Sequence, residues 1–65
     1  MTADEMLNEL GYEKTREWEE LLEYENPHNG GSVDFFPMDN PPTVTLIEVT
    51  PRVLKVVLEK CRELG

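Results

Sequence analysis

The 65-residue chain has one cysteine, one histidine and one serine, and no apolar run approaches the ~20 residues of a membrane span. A lone Cys61 excludes an internal disulfide. With no second cysteine and no histidine near it in sequence, it reads as a small apolar residue on a helix rather than a nucleophile or redox thiol. His28 falls in a glycine-containing loop, and with Ser32 and Cys61 it composes no set of nucleophile, base and orienting group. Paired carboxylates abound, but a hydrolytic pair needs one desolvated and one exposed carboxyl, and a glutamate run shows no such asymmetry. A non-enzymatic protein without a cofactor is the expectation. His28, Asp34 and Asp39 could converge on a hairpin end, yet the chain has no spaced Cys/His set for zinc and no EF-hand loop. Gly30-Gly31 lacks the following lysine and helix start of a phosphate loop. No basic start leads into an apolar run, so a cytoplasmic location is expected.

Basic residues are scarce where acid is dense. The formal net charge is -8, but residues 1–49 carry twelve acidic residues against Lys14 and Arg16, whereas residues 50–65 carry Arg52, Lys55, Lys60 and Arg62 against Glu59 and Glu63. An acidic first half repels phosphates, which argues against direct nucleic-acid or anionic-membrane binding and suits a basic partner. The same glutamates also serve solubility. A domain this small buries only about 60% of the surface its unfolded chain exposes, and without a disulfide it often gains stability from oligomerisation or a partner.

Both ends are punctuated as helices. Thr2 and Glu5 have capping-box spacing, Ala3, Met6, Leu7 and Leu10 recur at helical intervals, Gly11 suits the left-handed closing position, and Tyr12 can fold back on Leu7. At the other end Thr50 is an N-cap, Pro51 takes the first helical position and Gly65 follows the last periodic residue. Leu54, Val57, Leu58, Cys61 and Leu64 make one stripe, which Val53 and Val56 widen.

Between the helices, residues 43–49 ("TVTLIEV") predict a strand, with Val44 and Leu46 on one face and Thr45, Ile47 and Val49 on the other. Residues 33–36 ("VDFF") predict a shorter one, in which Phe35 and Phe36 point to opposite faces and Phe36 takes the face the helices leave open. "PMDNPP" is a turn. Residues 17–25 ("EWEELLEYE") favour helix by propensity, but the loop "NPHNGGS" that follows suits antiparallel strands, and we read 17–25 as a strand. The expected fold is α+β: a short N-terminal helix, a three-stranded antiparallel sheet, and a C-terminal helix packed on one sheet face, in a single domain spanning 1–65.

The stretches "TADEMLNELGYEKT", "EYEN", "IEVTP" and "LEKCRELG" resemble a group of small proteins from phages and prophages of Gram-positive bacteria. That group typically opens on "(A/T)-x-E-M-(F/L)-x-x-L-G-Y" and ends on "T-x-x-E-L-x-x-I-x-x-K-x-x-E-L-G". The likeness lies in Met6, Leu7, Leu10, Gly11 and Tyr12, then in Thr50, Leu54, Lys60, Glu63, Leu64 and Gly65. The middle departs from it: "VDFFPMDNPPTV" stands where the group more often carries a lysine-bearing turn. The resemblance implies a phage origin and, with it, interference with a host defence or nucleic-acid-handling protein in the host cytoplasm.

Two functions follow as expectations. The first is a binding protein whose carboxylates occupy the basic surface of a host protein, with Trp18, Glu20, Glu23, Tyr24, Phe36 and Asp39 as the partner-binding residues. The second is a homo-oligomer that sequesters a small nucleotide between subunits, its phosphates received by the cations of the last helix.

Overall fold

A computed structural model describes all 65 residues. The order of elements is α1 (Ala3–Glu9), β1 (Glu13–Glu17), β2 (Leu22–Glu25), β3 (Ser32–Phe36), β4 (Thr43–Ile47) and α2 (Pro51–Leu64). The four strands form one antiparallel meander in the order β1-β2-β3-β4. The α+β class holds, with four strands where the sequence predicted three. No helix is long and apolar enough to cross a membrane.

The caps form as the sequence predicts. Thr2 Oγ1 accepts from the Glu5 N–H at 3.1 Å and Glu5 Oε1 accepts from the Thr2 N–H at 2.9 Å, which closes the capping box. At the other end Gly11 takes φ +96°, the Tyr12 N–H reaches Leu7 O at 2.9 Å and the Gly11 N–H reaches Asn8 O at 3.0 Å, the two bonds of a Schellman motif. That turn aims Tyr12 into the core. Its hydroxyl lies 2.6 Å from where a Cβ on Gly31 would stand, so residue 31 has no room for a side chain.

The expected strand over 17–25 is broken: the segment holds the last residue of β1, a turn and then β2. Glu17 ends β1, Trp18 and Leu21 exchange backbone hydrogen bonds at 2.8 and 3.3 Å across Glu19-Glu20, and β2 begins at Leu22. Residues 13–16 thus belong to a strand where the sequence pattern predicts none. Its five residues are all exposed, so no apolar alternation marks it. The strand expected over 43–49 stops at Ile47, because Glu48 adopts φ 52° and turns the chain. That turn sends Val49 against the core rather than to the face it would share with Ile47.

One sheet face carries the core. Tyr24, Val33 and Phe35 pack with Ala3 and Leu7 of α1, Tyr12, and Val53, Val56 and Val57 of α2. The Tyr24 and Phe35 rings meet edge to face at 5.8 Å. The inward face of α2 is rotated from the predicted stripe: Val53, Val56, Val57 and Lys60 are buried and Cys61 is half-buried, while Leu54, Leu58 and Leu64 are exposed. Val53, Val56 and Val57 recur at helical spacing on this inward face, and Lys60 continues it, its ammonium reaching the Asp4 carboxylate at 3.0 Å.

Asp4 is the electrostatic hub. Oδ1 accepts from the Tyr24 hydroxyl at 2.7 Å and from Lys60, and Oδ2 takes Lys14 at 2.9 Å, so one carboxylate ties α1 to β1, β2 and α2. Glu63 adds a bond from α2, accepting the Ala3 N–H at 3.1 Å. Partial burial pushes the Asp4 carboxyl up, but hydrogen bonds from Lys14, Tyr24 and Lys60 and the Lys60 charge outweigh it and hold the group at about 2. Burial and the bond to Asp4 push the Tyr24 phenol up, and the bond to Glu17 raises the Lys14 ammonium.

Two predictions follow from this packing. Phe35→Ala should destabilise the fold by about 3–5 kcal/mol in urea unfolding, whereas Leu58→Ala, at a residue 59% exposed, should change stability by no more than about 0.5 kcal/mol. A large loss at Leu58 would contradict the rotated helix face. Asp4→Asn should cost about 1–3 kcal/mol at pH 7. Because the folded carboxyl sits below its ordinary 3.8, the stability it contributes is complete above about pH 5 and is lost as pH falls towards 2. The gap between wild type and variant should therefore close over that acid range, as followed by circular dichroism.

Candidate functional site

Strand alternation and register define the face that no helix covers. Val33 and Phe35 point to the helices, so Ser32, Asp34 and Phe36 point away, and their register partners place Glu23 and Glu25 of β2 and Thr43, Thr45 and Ile47 of β4 on the same outer side. Arg16 stands opposite Glu23 and Glu13 opposite Glu25. A bulge at Thr15 lets its hydroxyl donate to Glu23 Oε1 at 2.8 Å, and the Arg16 guanidinium lies 3.5 Å from that same oxygen.

The centre of this face is acidic and poorly compensated. Asp34 stands directly opposite Glu23, its Oδ1 is buried without a hydrogen-bond partner, and its carboxyl is pushed up by burial and by the charges of Glu23 and Glu25, against which Arg16 acts only in part. Glu25 forms no ion pair within the chain. Such a group is stabilised by any cation that reaches it.

One end of the sheet gathers the aromatic and turn residues. The β1–β2 and β3–β4 connections both lie there, which brings Trp18, Glu20, Phe36 and Asp39 to a common rim. Trp18 is 52% exposed and its ring carries the Arg16 guanidinium at 4.9 Å from the centroid. Glu20 is exposed in the hairpin turn. Phe36 is half-buried on the outer side, and Asp39 accepts from the Thr43 hydroxyl at 3.2 Å. Beside this rim an apolar groove of about 260 Å³ opens between the β3–β4 connection and the end of α2, with Phe36, Pro37, Val44, Cys61 and Leu64 in its walls.

Tyr24 does not join this group. It is 2% exposed on the helix side and its hydroxyl is spent on Asp4, so it supports the site from beneath rather than touching a partner. Of the residues singled out from sequence, Trp18, Glu20, Glu23, Phe36 and Asp39 are surface-accessible in whole or part. Asp34, Glu25 and Arg16 were not among them. Their signal was alternation: once 33–36 is a strand with Phe35 inward, Asp34 must share the outer side with Phe36.

His28, Asp34 and Asp39 do not converge. His28 lies in the 26–31 connection, at the opposite end of β3 from Asp39, and no three His, Cys, Asp or Glu side chains stand close enough to hold a metal ion. The connection itself is fixed by the buried Asn26, which donates to Leu10 O at 3.2 Å and accepts from the His28 N–H at 2.9 Å. Comparison of the chain with protein-family models, with curated proteins and with solved structures finds no significant match.

The state of Asp34 is testable without a partner. With its carboxyl raised, the ionised form weakens the fold, so Asp34→Asn should raise the stability at pH 7. The advantage should shrink as pH falls through the carboxylate range and wild-type Asp34 takes up its proton. Urea unfolding at pH 7 and pH 4 measures both. An unchanged or lowered midpoint at pH 7 would show that the outer face carries no stored repulsion.

Proposed function

We propose that the chain is a non-enzymatic binding protein of phage type whose outer sheet face receives a basic surface of a host protein. The observation that carries this reading is the Glu23, Asp34 and Glu25 cluster, in which like charge and a buried unpartnered carboxylate oxygen coincide on a face that no element of the chain covers. A lysine or arginine brought beside Glu23, Glu25 and Asp34 relieves the repulsion among them, so binding gains energy where the free fold is poorly compensated. Trp18 supplies an exposed aromatic on the rim, the residue type most often central to binding energy. The resemblance of both chain ends to phage proteins supports a host defence or nucleic-acid-handling protein as the target, since such proteins present basic grooves to phosphates.

The nucleotide-sequestering alternative rests on the four cations of α2. Two of them already have partners within the chain, Lys60 with Asp4 and Glu63, and Arg62 with Glu59 at 3.2 Å. Arg52 and Lys55 remain for phosphates, and the acidic face is the stronger feature.

A basic peptide of alternating lysine and arginine is a sufficient first probe, with Trp18 fluorescence as the signal. Affinity should fall at least about tenfold between low and moderate salt. Glu23→Gln/Glu25→Gln should weaken it further than Glu9→Gln/Glu59→Gln, which removes the same charge elsewhere. Equal loss in the two double variants would reduce the effect to net charge and sink the proposal.

A further inference from the structure

The two edges of the sheet are built in opposite ways. At one edge, β1 reads Glu-Lys-Thr-Arg-Glu and is bulged at Thr15, and both charge and bulge are devices that keep an exposed strand from pairing with another chain. At the other edge, β4 reads Thr-Val-Thr-Leu-Ile, with no charge, no proline and an unbroken register against β3. β4 ends the sheet order, and four of its five residues are exposed. An uncharged, β-branched, regular edge presents unpaired backbone donors and acceptors as a template for a further strand.

The helix above continues this surface. Cys61 lines the groove with Val44 of β4, so the flank of α2 that turns towards β4 is the one bearing Cys61. Leu58 and Leu54 precede it at the i−3 and i−7 positions of the same flank and are exposed. Leu46, which shares the helix side of β4 with Val44, is exposed as well. An apolar strip thus runs from the β4 edge up the side of α2.

We propose that a second copy of this chain occupies that strip, β4 pairing antiparallel with β4 about Thr45 to make one continuous sheet across both copies. The strand is self-complementary in this register. Val44 of one copy stands opposite Leu46 of the other on the helix side, Thr43 opposite Ile47 on the outer side, and Thr45 lies on the two-fold axis. Charge selects the same edge. In a chain of net charge -8, β4 is the one strand without an ionisable side chain, so two copies approach there without bringing acid against acid. Five residues of strand and fourteen of helix give a strip roughly 20 Å long, which places the contact among smaller, concentration-dependent interfaces rather than obligate ones. The acidic face is not used by this pairing and runs on across both copies.

Sedimentation equilibrium from about 10 µM to about 1 mM tests the pairing. The expected result is a shift from 7.5 kDa to twice that mass as concentration rises. Leu46→Lys and Leu54→Glu, both at exposed positions, should abolish the shift while circular dichroism shows an unchanged fold. For the register, Thr45→Cys in a Cys61→Ala background should cross-link to its own counterpart under mild oxidation, and Thr15→Cys in the same background should not. A monomer throughout the range overturns the proposal, including the case where the edge serves an extended segment of a different protein. So do a dimer indifferent to both leucine variants and a cross-link that forms equally well at position 15.

Discussion

The fold depends on one carboxylate being in one place. Asp4 sits in the first turn of α1, where a negative charge is favoured, and from there it takes a phenol from β2, an ammonium from β1 and an ammonium from α2. A seven-residue helix has no stability of its own, so α1 exists because it is held at both ends. The capping box and Glu63 satisfy donors at its start, and the Schellman turn places Tyr12 in the core at its finish. The hub also reaches α2: Lys60 lies on the same inward face as Val53, Val56 and Val57, its stem buried and its ammonium on Asp4.

This explains which parts of the structure were legible in the chain. Caps are local: Thr2, Glu5, Gly11, Thr50 and Pro51 act on backbone within a few residues, and each does what its position implies. Phe35 and Phe36 were separable because strand alternation is also local. The stripe on α2 was misread because hydrophobicity ranks leucine above lysine, whereas the geometry ranks by what the facing element offers. Leu54 and Leu58 had no apolar surface opposite them, and Lys60 had Asp4, a residue 56 positions away. No window of sequence contains that pair. β1 was invisible for the converse reason. An edge strand with both faces wet has no hydrophobic period, and the turn that joins it to β2 uses Glu19-Glu20 rather than glycine or asparagine.

The two acidic centres of the molecule are opposites. On the helix side Asp4 is surrounded by donors and its ionised form is favoured. On the outer side Asp34 is surrounded by carboxylates, with one oxygen buried and unpartnered, and its ionised form is disfavoured. The sheet between them is a single layer, so the same strand β2 carries Tyr24 to the first centre and Glu23 and Glu25 to the second. Along three consecutive positions, Tyr24 thus serves the first centre while Glu23 and Glu25 on either side face the second. The candidate site was partly legible for this reason: Glu23 and Phe36 could be named from sequence, but the compensation of each carboxylate depends on neighbours across the strand.

Size then decides what the surface is left to do. Only 12 of 65 residues are buried, so most apolar side chains of α2 and β4 beyond that core remain in contact with water. In a larger domain another layer would cover them. Here the charge pattern divides the surface instead: acid on the open sheet face, mixed charge and a bulge along β1, and no charge along β4. A face dense in carboxylates repels its own copy and attracts cations, while an uncharged edge with free backbone groups admits its own copy and offers cations nothing. The proposed basic partner and the proposed second copy would therefore not compete, because the charge of each surface disfavours the other's partner.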